Sequence, residues 1–220
     1  MPNDADPSSV IKVGDGRGFI VEYRVRRPAV RLQSRTIPPI YIEHRVVITA
    51  AHCLPPLTAT PAASYHEKTF PGLLGNIDGS KKAIAAECLF ADPVADIAIL
   101  GSPDCQEFYS ESNYYDDLVN EVPVLLIGNA RNGRGWLLAL TDNRWVETTL
   151  NVFVGSRGMS LGIGPTESGM SGSPILNHNG KAVGVVCVGS ETGNDGVRKT
   201  ERAWGQPILS RSLPGWMLAP

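Results

Sequence analysis

Three short segments of this 220-residue chain carry side chains able to act together. In Val46-Val47-Ile48-Thr49-Ala50-Ala51-His52-Cys53, a β-branched run ends in three small residues and then a histidine. The small side chains let the chain turn tightly. They leave at a strand edge an imidazole, the one side chain whose ordinary pKa lies near neutrality. In Ala95-Asp96-Ile97-Ala98-Ile99-Leu100 an acid opens an apolar run, so its carboxylate stands where burial begins and needs a donor. A histidine N–H is a good one. The third segment, Ser168-Gly169-Met170-Ser171-Gly172-Ser173-Pro174-Ile175, sets glycines on both sides of a Met-Ser pair. Such a turn can aim the N–H groups of Gly169 and Ser171 at one point, as stabilisation of a developing oxyanion requires.

The elements that must position these groups have a period of two. Gly18 to Val25 is a predicted strand, and Tyr41-Ile42-Glu43 and Arg45 to Ile48 are predicted arms of a tight hairpin around Glu43 and His44. Further strands are expected at Lys82 to Cys88, Ile97 to Leu100 and Val122 to Ile127. Gly135 to Leu140 and Arg144 to Val154 form a hairpin through Asp142-Asn143. Ser173 to Leu176 and Lys181 to Val188 form another through Asn177-His178-Asn179-Gly180. The polar, Tyr-rich stretch from Asp104 to Glu121 marks a boundary between two β halves. Only Pro207 to Leu218 looks helical, and Pro214 and Gly215 end it early. The pattern is that of two packed antiparallel barrels.

Composition agrees with such a fold. The 23 Gly and 17 Pro suit short strands joined by turns, and 42% hydrophobic content supplies a core. A net charge of −2 gives no field favouring nucleic acid or an anionic membrane. No apolar run approaches the roughly 20 residues of a spanning helix. Cys53, Cys88, Cys105 and Cys187 contain no CxxC pair, so no zinc site is expected. Neither a basic nor an apolar leader opens Met1 to Pro7, which points to the cytoplasm and free thiols, or to a secreted or periplasmic protein if a leader was removed.

Together the three segments resemble the chymotrypsin-like (trypsin-like) serine peptidases. Thr49-Ala50-Ala51-His52-Cys53 matches that family's histidine motif, Asp96-Ile97-Ala98-Ile99-Leu100 its aspartate motif, and Gly169-Met170-Ser171-Gly172-Ser173-Pro174 is close to its Gly-x-Ser-Gly-Gly-Pro motif. The order His, Asp, Ser is the family's, and the likeness covers roughly residues 10 to 218. It implies an all-β fold of two six-stranded Greek-key barrels with a short C-terminal helix. Residues 10–110 would carry the His and Asp, and residues 111–218 the Ser and specificity pocket. It also implies a polypeptide substrate cut without a cofactor or metal. Ser171 would be the nucleophile, His52 the base and then acid, and Asp96 the group orienting His52. The Gly169 and Ser171 N–H groups would form the oxyanion hole. Asp92, beside Pro93 and farther from the apolar strand, is the weaker choice of acid.

Departures from the family pattern narrow the branch. Relatives activated by cleavage carry an Asp before the nucleophile to pair with a new N-terminus; here that residue is Met170. The resemblance therefore points to enzymes that fold directly into working form, as in the HtrA-like and glutamyl-endopeptidase-like branches, without a PDZ domain in the sequence given. Cys53 is the first cysteine, so the family's frequent bridge to an upstream cysteine has no partner here. By the same resemblance Pro165, Thr166, Val186, Cys187, Val188 and Gly189 would line the primary pocket and pair with substrate. Pro165 is not the Asp of a trypsin-type pocket, and no His lies near Val186. An apolar or small residue is therefore expected on the acyl side of the cut bond.

Other readings of the sequence give less. Gly158-Met159-Ser160-Leu161-Gly162 fits a Gly-x-Ser-x-Gly nucleophile elbow, yet His178 follows only 18 residues later, leaving no room for the βα units that fold needs. A metal site of His44, His52, His66 and a cysteine has weaker support still. The principal alternative is a catalytically silent protein of the same fold that binds peptides as an added strand.

Overall fold

The computed structural model describes residues 5–27, 30–32, 35–37, 40–56, 68–79, 83–104, 106–155, 158–187 and 205–218. In chain order the first strands are β1 (Val10–Val13), β2 (Gly16–Arg27), β3 (Val30–Leu32), β4 (Arg35–Ile37), β5 (Ile40–Thr49), β6 (Lys68–Gly75), β7 (Ile84–Asp92) and β8 (Ile97–Gly101). Six of these close into an antiparallel barrel in the order β1-β2-β5-β8-β7-β6, while β3 and β4 pair as a small ribbon. After helix α1 (Ser112–Glu121) come β9 (Gly133–Leu138), β10 (Trp145–Gly155), β11 (Gly158–Gly162), β12 (Pro174–Asn177) and β13 (Ala182–Val185). They form a sheet in the order β11-β10-β9-β12-β13. Bridges from Leu161 to Gln206 and from Gly184 to Ile208 close it through a sixth segment. In both rings the six segments follow the order first, second, third, sixth, fifth, fourth. The two halves are thus the same Greek key, as the family resemblance implied.

The strand segments nearest the site are buried on both faces rather than on alternate residues. Val46 to Ala50 and Ile97 to Gly101 are entirely buried. One face of each strand fills the barrel, and the other is covered from outside. Tyr115, Leu118 and Val119 of α1 and Leu138, Leu176 and Val185 of the second half belong to the same apolar cluster as the first barrel. The Tyr115 hydroxyl donates towards the carbonyls of Leu100 (3.2 Å) and Arg45 (3.3 Å) and tethers α1 to β8 and β5.

Several local expectations change. Tyr41 to Ile48 is one continuous strand, not a hairpin, paired with β2 from Arg27↔Ile40 to Gly18↔Thr49. Glu43 and His44 lie exposed on that strand, where no buried face requires apolar residues. Val122 to Ile127 is not a ladder strand; it touches the sheets through single bridges, Val21↔Leu125 and Ile127↔Ala182, and so stitches one half to the other. The Tyr-rich stretch contains α1, whose buried Tyr115, Leu118 and Val119 show helical spacing. The C-terminal helix is two short ones, α2 (Leu209–Ser212) and α3 (Gly215–Leu218), split at Pro214. Ser160 sits in the antiparallel β10–β11 hairpin opposite Phe153, which removes the nucleophile-elbow reading.

Candidate active site

β5 ends at Thr49, and a 3-10 turn over Ala51–Cys53 follows at once, held by Cys53 N–H to the Ala50 carbonyl (3.0 Å). Ala50 and Ala51 are buried. His52 is thereby presented at the barrel's end, half exposed. Asp96 closes the turn from β7 to β8 in a left-handed conformation (φ 58°), which suits the short polar side chain of Asp. Its carboxylate meets His52 twice. Oδ1 accepts the His52 main-chain N–H at 2.9 Å, and Oδ2 lies 2.7 Å from Nδ1. A carboxylate only accepts, so Nδ1 carries the proton and Nε2 is left as the basic nitrogen. Asp92, the rival acid, uses Oδ1 to accept the N–H groups of Val94 and Ala95 (both 2.9 Å) and caps the turn instead.

Ser171 is 8% exposed and belongs to a loop clamped from both halves of the molecule. From the first barrel, the Arg17 N–H donates to the Ser171 carbonyl at 2.7 Å. From the second, Gly172 N–H donates to the Val186 carbonyl (2.7 Å) and Val186 N–H to the Ser173 carbonyl (2.9 Å). Gly172 has φ 82°, and a Cβ there would stand 1.8 Å from the Arg17 carbonyl oxygen, so no other residue fits. The preceding turn is closed by Met170 N–H to the Glu167 carbonyl (3.1 Å), with Gly169 at φ 97°. This is a type II turn. Among the described residues, neither the Gly169 nor the Ser171 N–H donates to a main-chain carbonyl. His52, Gly169 and Ser171 line one cleft of about 560 Å³.

A family model described as the trypsin-like peptidase domain matches residues 40–185, the span that holds His52, Asp96 and Ser171. The chain belongs to the trypsin-like peptidase family. Among solved structures it is similar to a human pathogenic astrovirus serine protease, with 17% identity over 82% of this chain and 83% of that one and a TM-score of 0.42. The Rv3671c protease in an inactive form is 18% identical over 81% and 77%, at 0.41. The NS6 protease from murine norovirus 1 is 17% identical over 86% of each chain, also at 0.41. No curated protein sequence matches the chain significantly.

Within this trypsin-like fold, Met170 takes a different course from a charged residue. It is 4% exposed, packed in the second apolar cluster with Leu137, Leu150 and Ile175, and its Sδ accepts the Glu167 N–H at 3.2 Å. The loop is therefore anchored by core packing rather than by an ion pair. Of the expected pocket residues, Val186 is fully buried with both main-chain polar groups bonded to the nucleophile loop. Cys187 is buried; its thiol donates to the Asp96 carbonyl at 3.2 Å and its N–H donates to Gln206 Oε1. Pro165 is exposed and Thr166 half-buried, and neither lines the cleft shared by His52 and Ser171. Val188 and Gly189 lie outside the described residues.

Arg17 is the residue that sequence reasoning missed. It is 5% exposed, and its guanidinium donates to the carbonyls of Leu138 (3.1 Å) and Ala139 (3.3 Å) and to Asn143 Oδ1 (3.2 Å), all in the second half. Burial lowers its pKa from the usual arginine value. Its main-chain carbonyl also accepts the Thr49 hydroxyl at 2.7 Å. Arg17 stands just before the strand predicted from Gly18, between two glycines, and only its contacts across the interface reveal a bolt between the halves.

The described cysteines are free and buried. Burial pushes the thiols of Cys53 and Cys88 up to about 11 and that of Cys187 well above the ordinary range. Among the described residues no group of three His, Cys, Asp or Glu is placed to hold a metal ion. His44 stacks on Tyr23 at 5.3 Å, and His66 lies outside the described residues. Among the described residues no helix is long and apolar enough to cross a membrane.

Proposed function

We propose that the protein is a serine endopeptidase working through an acyl-enzyme. The observation that carries this reading is the two-point hold of Asp96 on His52, at 2.9 and 2.7 Å, on the cleft that Ser171 also lines. His52 Nε2 takes the Ser171 proton as Oγ attacks the peptide carbonyl, and the Gly169 and Ser171 N–H groups receive the oxyanion. His52 then returns the proton to the departing amine, and water repeats the sequence to release the acid. Asp96 fixes the tautomer and stabilises the imidazolium. The serine type is favoured over the cysteine type because the thiols of Cys53, Cys88 and Cys187 are buried and hold their protons near neutral pH.

Met170 in the core supports a site that forms without cleavage of the N-terminus, nearer the HtrA-like and glutamyl-endopeptidase-like branches. With no fixed charge at Pro165 or Val186, the acyl-side preference is for an apolar or small residue. A peptide library tests both points. Wild type cleaves after apolar or small residues, and Ser171→Ala loses that cleavage. A profile dominated by Arg, Lys or Glu refutes the pocket assignment. Binding of intact peptides with no cleavage by wild type favours the silent, strand-adding alternative.

A further inference from the structure

On the leaving-group side of Ser171, we infer that Asp15 is the charge that selects substrate: it favours a basic residue just after the cut bond. This rests on the peptidase reading above. Strand β13 and Cys187 run on the Asp96 side of the nucleophile, and none of their residues lines the cleft of about 560 Å³. The cleft lies instead between the β1–β2 hairpin tip, Cys53 and the Ser168–Gly169 turn. With the acyl half of a substrate held by the oxyanion donors and directed towards β13, this space is where the amine half must lie.

The tip that carries Asp15 is rigid. Val13 pairs with Gly16, so Gly14-Asp15 is a two-residue turn. Gly14 at φ 54° and Asp15 outside the positive region make it type II′, which requires glycine first. Gly14 N–H donates to the Leu73 carbonyl at 2.9 Å, and a Cβ on Gly14 would stand 2.5 Å from the Cys53 carbonyl oxygen. A Cβ on Gly16 would stand 2.7 Å from the Ser171 carbonyl oxygen. The exposed Asp15 is therefore held at a fixed place beside the nucleophile.

Its chemistry is selective. Among the described residues, Asp15 is the one carboxylate lining the cleft, and no Lys or Arg lines it. Among the described residues Asp15 has no hydrogen-bond or ion-pair partner. The rest of the wall includes Leu54, Pro55, Pro71 and Leu73. A Lys or Arg side chain fits that combination: an apolar stem lies along apolar residues and a cationic head reaches a carboxylate.

Partition of the acyl-enzyme tests this without knowledge of the natural cleavage sequence. An ester with a small apolar acyl group loads Ser171. Argininamide, its neutral isostere citrullinamide and glutamic acid α-amide, with its side-chain carboxylate free, then compete with water, each also behind an alanine to probe the second position. The amine nitrogen displaces Ser171 Oγ from the acyl carbon, an amide forms, and the amine's proton returns to Ser171 through His52. Wild type should use the arginine acceptor roughly two- to five-fold better than the citrulline one, as expected for an exposed pair. The ratio should fall towards one at high salt. Asp15→Asn should abolish the ratio and Asp15→Lys invert the order of arginine and glutamate acceptors; each ratio is internal to one preparation, so a general loss of activity cancels. A ratio near one in wild type at low salt, or one unmoved by both substitutions, overturns the assignment. Failure of wild type to acylate overturns the peptidase reading itself and takes this inference with it.

Discussion

Gly172 and Met170 set the nucleophile from its two sides, and each makes a distinct demand. A Cβ at residue 172 collides with the Arg17 carbonyl at 1.8 Å on backbone already at φ 82°. Gly172→Ala must therefore move Ser171, and displacement of about an ångström costs on the order of 10² in rate. Single-turnover acylation of the variant measures this directly. Met170→Leu keeps the apolar volume and should retain most activity. Met170→Asp places an unpaired carboxylate in the second core and should lower both stability and labelling of Ser171, by several kcal/mol for the buried charge. Thermal melts beside acylation rates check the pair. The His52, Asp96 and Ser171 segments were legible in the sequence because each motif is local: small residues before the imidazole, an acid opening an apolar strand, glycines around a serine. Arg17 was not, since its significance lies in carbonyls more than 100 residues away.

At the scale of elements, Arg17 bolts β2 to the end of β9 with a forked cation that has no carboxylate partner among the described residues. Arg17→Met leaves the Leu138 and Ala139 carbonyls unbonded, at about 1–3 kcal/mol, and should lower Tm by roughly 2–12 °C for a chain of this size. Arg17→Lys recovers only part, because a point charge does not fork. Differential scanning calorimetry of the two variants tests it. The elements that the sequence concealed or overstated each have a separate physical cause. β6 is broken by a bulge at Pro71-Gly72, with its register shifting between Phe70 and Leu74, so an alternating strand looks like a turn. In α1, burial of three residues on one face was hidden by polar neighbours. In the Val122 to Ile127 run, Pro123 removes a donor that a ladder strand would use.

Over the whole molecule, two copies of one Greek key meet along the cleft; the period of two pointed to two antiparallel barrels, and the family resemblance implied their Greek-key order. The register of the halves against each other was not readable, because it depends on single long-range bonds such as Leu125 N–H to the Ile20 carbonyl (2.8 Å) and Ala182 N–H to the Leu126 carbonyl (2.8 Å). Buried thiols give the fold a pH limit. Cys53 and Cys88 ionise near 9 when unfolded but at about 11 when folded. The folded state thus holds more protons between those values. Stability is unaffected by these thiols below about pH 9 and falls as pH rises from there through about 11. Chemical denaturation at pH 8 and at pH 10.5 should show the loss, and Cys88→Ser, which removes one titrating thiol, should reduce it.

The most direct test of the site is intact mass after incubation with a fluorophosphonate probe, on wild type, Ser171→Ala and His52→Ala. The geometry of Asp96, His52 and the Gly169 turn calls for one adduct on wild type, mapped to Ser171, none on Ser171→Ala, and labelling slowed at least 10³-fold in His52→Ala. A folded wild type that takes no adduct, or one labelled at another residue, contradicts a working Ser171 and moves the peptide-binding reading to first place.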